Sequence, residues 1–117
     1  MNRDALFCDG TQDYVIPAEP GQNEKIRLRF RTAHNDVEEV CLLTGDVSYS
    51  MWKVRSGTEF DVYEIEWQLG AEPFHYSFEI KSGEQICYYN RYGVSDRRED
   101  YYAYIIVPGF KTPEWAK

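Results

Sequence analysis

The sequence predicts an all-β fold, an antiparallel sandwich of seven to nine strands in one domain. Three observations carry this expectation. Apolar residues recur at every second position, turn residues return about every 8–12 residues, and no window of a dozen residues carries a helical stripe. The length of 117 residues suits one domain, and an apolar fraction of 43% is enough to bury a core.

Each element follows from that alternation. An early strand is expected around residues 13–16, bracketed by Cys8-Asp9-Gly10 and Glu19-Pro20-Gly21. Across residues 25–31, Ile26, Leu28 and Phe30 share one face, and Arg27, Arg29 and Arg31 share the other. That is the pattern of a half-buried strand with a solvated side. His34-Asn35-Asp36 separates it from a strand over 37–43, and Gly45-Asp46 leads into another over 49–54. Ser56-Gly57 precedes a strand over 60–67, in which Tyr63, Ile65 and Trp67 alternate with Glu64 and Glu66. After Gly70-Ala71-Glu72-Pro73, residues 74–81 place Phe74, Tyr76, Phe78 and Ile80 inward and His75 outward. Lys81-Ser82-Gly83-Glu84 is the next turn, Ser95 to Asp100 reads as a solvated loop, and residues 101–107 form the last strand. The domain is expected to span residues 1–108. Residues 109–117 read as a connector in which Trp115 needs burial against something else.

Composition excludes several partners. Twenty acidic residues against thirteen basic ones give a net charge of −7. Nucleic acid is not an expected partner, because phosphate binding requires concentrated positive surface. Anionic membrane surfaces are disfavoured on the same ground, and no apolar run approaches the ~20 residues that cross a bilayer. Neutral ligands meet no such penalty. Cys8, Cys41 and Cys87 form neither a disulfide framework nor a metal-ligand pair, and are expected as small core residues. The N-terminus lacks an apolar leader segment. A cytoplasmic location follows if Met1 is the natural start, and an extracellular one stays open if a leader has been removed.

No catalytic motif is present. His34 and His75 read as surface residues without a serine or cysteine nearby in sequence. There is no phosphate-binding glycine loop, HExxH or EF-hand spacing. Asp9, Asp13, Asp36, Asp46 and Asp96 lie near predicted loops, where carboxylates are able to converge on calcium, but no motif supports such a site, so no cofactor is expected.

The aromatic residues are more informative. Ten tyrosines and three tryptophans exceed what this core needs, and many flank loops. Sugar rings stack their C–H faces on flat aromatics while neighbouring polar groups hold the hydroxyls. Two segments supply both, Tyr49-Ser50-Met51-Trp52-Lys53 and Tyr88-Tyr89-Asn90-Arg91-Tyr92. The candidate platforms are Tyr49, Trp52, Tyr89 and Tyr92, with Asn90 and Arg91 as polar partners. Tyr88 and Trp67 are expected in the core. The competing reading is that all of them are core and edge-strand aromatics, since tyrosine favours strands.

A series of short motifs resembles one family along nearly the whole chain. It comprises Ala5-Leu6-Phe7, Tyr14-Val15-Ile16-Pro17, Ile26-Arg27-Leu28-Arg29, Asp36-Val37-Glu38-Glu39-Val40, Leu43-Thr44-Gly45-Asp46, Phe60-Asp61-Val62-Tyr63 and Tyr76-Ser77-Phe78-Glu79. The ending Gly109-Phe110-Lys111-Thr112-Pro113-Glu114-Trp115-Ala116-Lys117 is the most specific piece. The series resembles the N-terminal domain of neopullulanase, cyclomaltodextrinase and maltogenic amylase enzymes, carbohydrate-binding module family 34 attached to a glycoside hydrolase family 13 barrel. The resemblance implies an immunoglobulin-like sandwich that is not itself an enzyme, with a catalytic barrel following in the parent α-amylase-family hydrolase. It implies binding of starch-type α-1,4-glucans such as maltooligosaccharides and cyclodextrins. It equally implies a structural and dimerisation role, in which the domain packs on its own barrel and shapes the cleft of a homodimer partner. One departure bears on that role: many relatives carry a longer aromatic stretch after the glycine–aspartate pair, whereas here only Val47-Ser48-Tyr49-Ser50-Met51-Trp52 follows.

Overall fold

A computed structural model describes residues 5–8, 14–16, 20–98 and 103–108. Within them lie ten strands: β1 (Val15–Ile16), β2 (Lys25–Ala33), β3 (Glu39–Thr44), β4 (Val47–Ser50), β5 (Trp52–Ser56), β6 (Phe60–Gln68), β7 (Phe74–Ser82), β8 (Gln85–Asn90), β9 (Gly93–Ser95) and β10 (Tyr104–Ile106). They build two sheets. One has the order β1-β2-β6-β5, the other β4-β3-β7-β8-β9, with β10 joined to β7. Every pairing is antiparallel. The all-β sandwich is therefore as expected, but it has ten strands among the described residues where seven to nine were expected, because the segment over 49–54 is split in two and Gly93–Ser95 adds a short strand. The connector 109–117 and its Trp115 lie outside the described residues, as do Asp9 and Asp13.

Two short turns show why the sequence folds into meanders. Gly45-Asp46 joins Thr44 to Val47, and Gly83-Glu84 joins Ser82 to Gln85. Gly45 has φ +57° and Gly83 φ +61°. Glycine at the first central position of a two-residue hairpin matches the right-handed twist of the flanking strands.

Alternation then fixes what is buried. Ile26, Leu28 and Phe30 of β2 and Tyr63 and Ile65 of β6 face Val40 and Leu42 of β3 and Tyr76, Phe78 and Ile80 of β7 across the sandwich. Phe30 stands 4.8 Å from Phe78 and 5.2 Å, edge-on, from Tyr89. Each such fully buried aromatic contributes roughly 2–3 kcal/mol by leaving water. A second aromatic row runs Tyr49–Trp67–Phe74–Tyr76–Tyr104, with centroids 4.9, 5.0, 5.4 and 5.3 Å apart.

The strand expected over 49–54 is in fact two. Met51 is buried, its N–H donates to the Val40 carbonyl at 2.8 Å, and the chain there leaves β3's sheet to join β6 in the other. β4 and β5 consequently form edges of different sheets. A β-bulge then interrupts β5. Trp52 opposes Glu64 and Lys53 opposes Tyr63, but Arg55, not Val54, opposes Val62. The extra residue, Val54, reverses the facing of everything after it.

Candidate functional site

The outer face of the four-stranded sheet carries the arrangement that the sequence led us to seek. Glu64 on β6 lies opposite Arg29 on one side and Trp52 on the other, so the three side chains form one row across three strands. Arg29 Nε donates to Glu64 Oε1 at 2.9 Å, and Glu64 is only 8% exposed. Trp52 stands at the sheet edge, 50% exposed. Among the described residues no ring or cation stacks on its indole. A shallow cleft of about 350 Å³ opens beside this row, lined by Tyr14, Arg27, Arg29, Val54, Arg55, Val62 and Glu64. A half-exposed indole next to fixed carboxylate and guanidinium groups is the chemistry needed to stack a sugar ring and bond its hydroxyls.

The other predicted residues are not gathered there. Tyr49 opposes Leu42, a core residue, and its ring packs edge-on against Trp67 at 4.9 Å. It is 38% exposed and closes the sandwich mouth rather than standing free. Tyr92 is 74% exposed in the β8–β9 turn, with the Arg91 guanidinium 5.6 Å from its ring centre. That turn lies three strands from β4 across the larger sheet, about 14 Å at ordinary strand spacing. Trp52 and Tyr92 therefore belong to different surfaces.

Three expectations are corrected. Tyr89 is not a platform: it opposes Phe78, is 8% exposed and packs on Phe30. Asn90 is buried, and its Oδ1 accepts the Tyr92 N–H at 2.8 Å, so it builds the turn instead of facing a ligand. Tyr88, expected in the core, is the outward residue, half-buried opposite Glu79. The cause is parity. Cys87 and Tyr89 share the inward face set by Ile80 and Phe78, and Tyr88 falls on the other. Trp67 does pack against the core, as expected.

A second polar cluster clamps the β2–β3 loop onto the β5–β6 hairpin. Asp61 is 1% exposed. Its Oδ2 accepts from the Asn35 N–H at 2.9 Å and from Lys53 Nζ at 3.0 Å. Its Oδ1 accepts from Ser56 Oγ at 2.8 Å and lies 3.1 Å from His34 Nδ1. Burial alone pushes this carboxyl upward, but the bonds from Asn35, Ser56, Lys53 and His34 outweigh it and hold the group well below the usual carboxylate range. Although serine, histidine and aspartate meet here, they are not a hydrolytic triad. Ser56 and Asp61 both approach Nδ1, while Nε2 lies 3.0 Å from the Asn35 side-chain amide. A triad needs serine and carboxylate on opposite ring nitrogens.

The three cysteines are buried and unpaired by disulfides. Burial, then the adjacent Glu39, pushes the Cys41 thiol up to about 12, which leaves it protonated and unreactive at neutral pH. Among the described residues no three His, Cys, Asp or Glu side chains converge in a way that would hold a metal ion.

Sequence reasoning identified Trp52 by its type and neighbourhood. It treated Arg27 and Arg29 as a solvated stripe and did not connect them with Arg55, Tyr14 or Glu64. The alternation in β2 was a usable signal for the first pair. Nothing in the sequence marks the bulge that brings in Arg55.

Comparison with known proteins places this geometry in context. The model of a family described as "Alpha amylase, N-terminal ig-like domain" matches residues 1–110. Among solved structures, a cyclomaltodextrinase superposes with a TM-score of 0.78 at 18% identity, covering 98% of this chain and 22% of that one. A maltogenic amylase from S. marinus gives 0.71 at 16% identity, covering 97% and 16%. The type III pullulan hydrolase from Thermococcus kodakarensis gives 0.61 at 18% identity, covering 94% and 18%. These likenesses establish a shared fold, and the chain spans about a fifth of the length of the solved chains it matches.

Proposed function

The chain belongs to the family of alpha-amylase N-terminal Ig-like domains, and from that membership we propose that it is the glucan-binding, non-catalytic module of an α-glucan-hydrolysing enzyme. Its ligands are starch-type α-1,4-glucans, namely maltooligosaccharides and cyclodextrins. The names of the similar enzymes, cyclomaltodextrinase, maltogenic amylase and pullulan hydrolase, support this ligand class. The observation that carries the reading is Trp52, half-exposed at a sheet edge and in register with the Glu64–Arg29 pair beside an open cleft. A glucose ring stacks on the indole, and the carboxylate and guanidinium hold its hydroxyls. Tyr92, with Arg91, offers a second and separate stacking surface.

Titration with β-cyclodextrin and maltoheptaose, followed by tryptophan fluorescence and calorimetry, tests the reading. Saturable binding is expected, weakened about five- to a hundredfold in Trp52→Ala, taking the roughly 1–3 kcal/mol of a nucleobase stacked on an aromatic ring as the scale for a sugar's C–H face on the indole. Absence of binding at millimolar ligand, or unchanged affinity in the variant, removes the glucan role of Trp52.

A second reading rests on a different observation. Ile105 and Val107 are half-exposed apolar residues at and just beyond β10. They suit a contact with a following catalytic barrel, and the module would then serve as a packing and dimerisation element. Loss of dimerisation from the full-length enzyme on removing this domain, with no sugar binding by the domain itself, is the result that favours it.

A further inference from the structure

The cleft beside Trp52 holds more positive charge than a neutral sugar requires. Three guanidiniums line it, from Arg27, Arg29 and Arg55, against one carboxylate, Glu64. Glu64 is already bonded to Arg29 at 2.9 Å. The chain as a whole carries −7, so this excess of cations runs against the overall charge.

Other cations on the same face are engaged elsewhere. Arg31 lies 4.2 Å from the Phe60 ring centre and 5.1 Å from that of Phe7, and its Nε donates to the Ala5 carbonyl at 3.3 Å. Lys25 is 4.0 Å from Glu66, the residue opposite Arg27. Arg27 and Arg55, by contrast, are exposed and have no ion pair with a described residue.

The position of Arg55 is a product of the bulge. In unbroken register Val54 would oppose Val62, and Arg55 would oppose Asp61 on the inner side. The inserted residue turns Arg55 to the outer face and into the cleft. A guanidinium matches the tetrahedral oxygens of a phosphate through paired N–H donors, and two unpaired ones in a cleft of ~350 Å³ match a small dianion better than a neutral hydroxyl.

We propose that this cleft is an oxyanion site, in which Arg27 and Arg55, supported by Arg29, bind a phosphomonoester group carried by an α-glucan or by a free sugar phosphate. The glucan source rests on the reading of Trp52 given above; the oxyanion site does not.

Calorimetry of the protein at low ionic strength tests it, with inorganic phosphate, glucose 6-phosphate, maltoheptaose and a 6-phosphorylated maltoheptaose as titrants. The phosphorylated oligosaccharide is expected to bind about tenfold more tightly than the plain one, the effect of one well-placed charge-assisted contact. Arg27→Gln with Arg55→Gln should abolish that preference, so that the two sugars bind alike. Lys81→Gln with Arg97→Gln removes an equal charge from outside the cleft, and should retain the preference.

Equal affinity of the protein for the two oligosaccharides, with no binding of inorganic phosphate or glucose 6-phosphate, overturns the proposal. An equal loss in the Lys81→Gln, Arg97→Gln variant also overturns it, because the effect would then be diffuse charge and not a site. If a polyglutamate binds in an arginine-dependent way and the phosphates do not, the face docks an acidic protein and the proposal again fails. Arginine-dependent phosphate binding without any maltoheptaose binding would uphold the oxyanion site while removing the glucan reading.

Discussion

Replacing Asp61 by asparagine isolates the charge in the loop clamp, because the side chain keeps its shape. The buried carboxylate accepts bonds from the Asn35 N–H and Ser56 Oγ, at 2.9 and 2.8 Å. Each bond to a charged group contributes about 1.5 kcal/mol or slightly more. Lys53 and His34 are one-third and two-fifths exposed, so water screens their share to a few tenths each. The amide of asparagine must also set a donor against donors at one of the two oxygen positions. The expected loss is therefore about 3 kcal/mol at neutral pH, read as the shift of the urea midpoint at constant slope.

The pH dependence supplies a second check. A carboxyl whose folded pKa is depressed stabilises fully above its unfolded pKa, near 4, and loses that stabilisation as the pH falls toward the folded value. Between pH 5 and pH 3 the unfolded chain takes up the proton first, so the wild-type advantage over Asp61→Asn should shrink by about 1 kcal/mol. A difference under 1 kcal/mol at neutral pH, or one that stays constant down to pH 3, would refute the clamp.

Two further substitutions separate core from surface. Tyr89→Ala should cost about 3 kcal/mol, since its ring packs inside against Phe30, while Tyr92→Ala should stay within about 0.5 kcal/mol; the same urea titration reads both. Gly45→Ala should cost about 1 kcal/mol through backbone strain alone, because φ is +57° and an added Cβ meets nothing within 4 Å; a shift in thermal midpoint without change in sugar binding checks it.

The long strands were legible in the sequence because each has one solvated face. In β2 up to Arg31, in β6 from Tyr63 onward and in β7, polar and apolar residues alternate, and that pattern sets the facing. The segment from Tyr49 to Val54 was not legible. Its residues are polar and apolar in no clear order, and the switch of sheets at Met51 depends on contacts with Val40. Tyr88 and Tyr89 are identical neighbours, so no periodicity assigns one inward. Only pairing with Phe78 and Glu79 does so. The clamp was equally hidden, because His34 and Asp61 are 27 residues apart and the sequence reads both as ordinary loop or strand residues.

One irregularity connects the two polar sites. In unbroken register from Trp52, Arg55 would oppose buried Asp61, and Ser56 would turn to the outer face. An arginine there would have to be accommodated beside Lys53, with like charges crowded on one carboxylate. The bulge at Val54 places Ser56 opposite Asp61, where its hydroxyl completes the clamp, and sends Arg55 to the outer cleft. It also breaks the regular edge of β5, an outer strand of the four-stranded sheet, against pairing with another chain. Stability of the loop, composition of the cleft and protection of the edge thus depend on the same inserted residue. Deleting Val54 would disturb all three together, whereas changing its side chain would leave the register and the clamp intact and alter only the wall of the cleft that it lines.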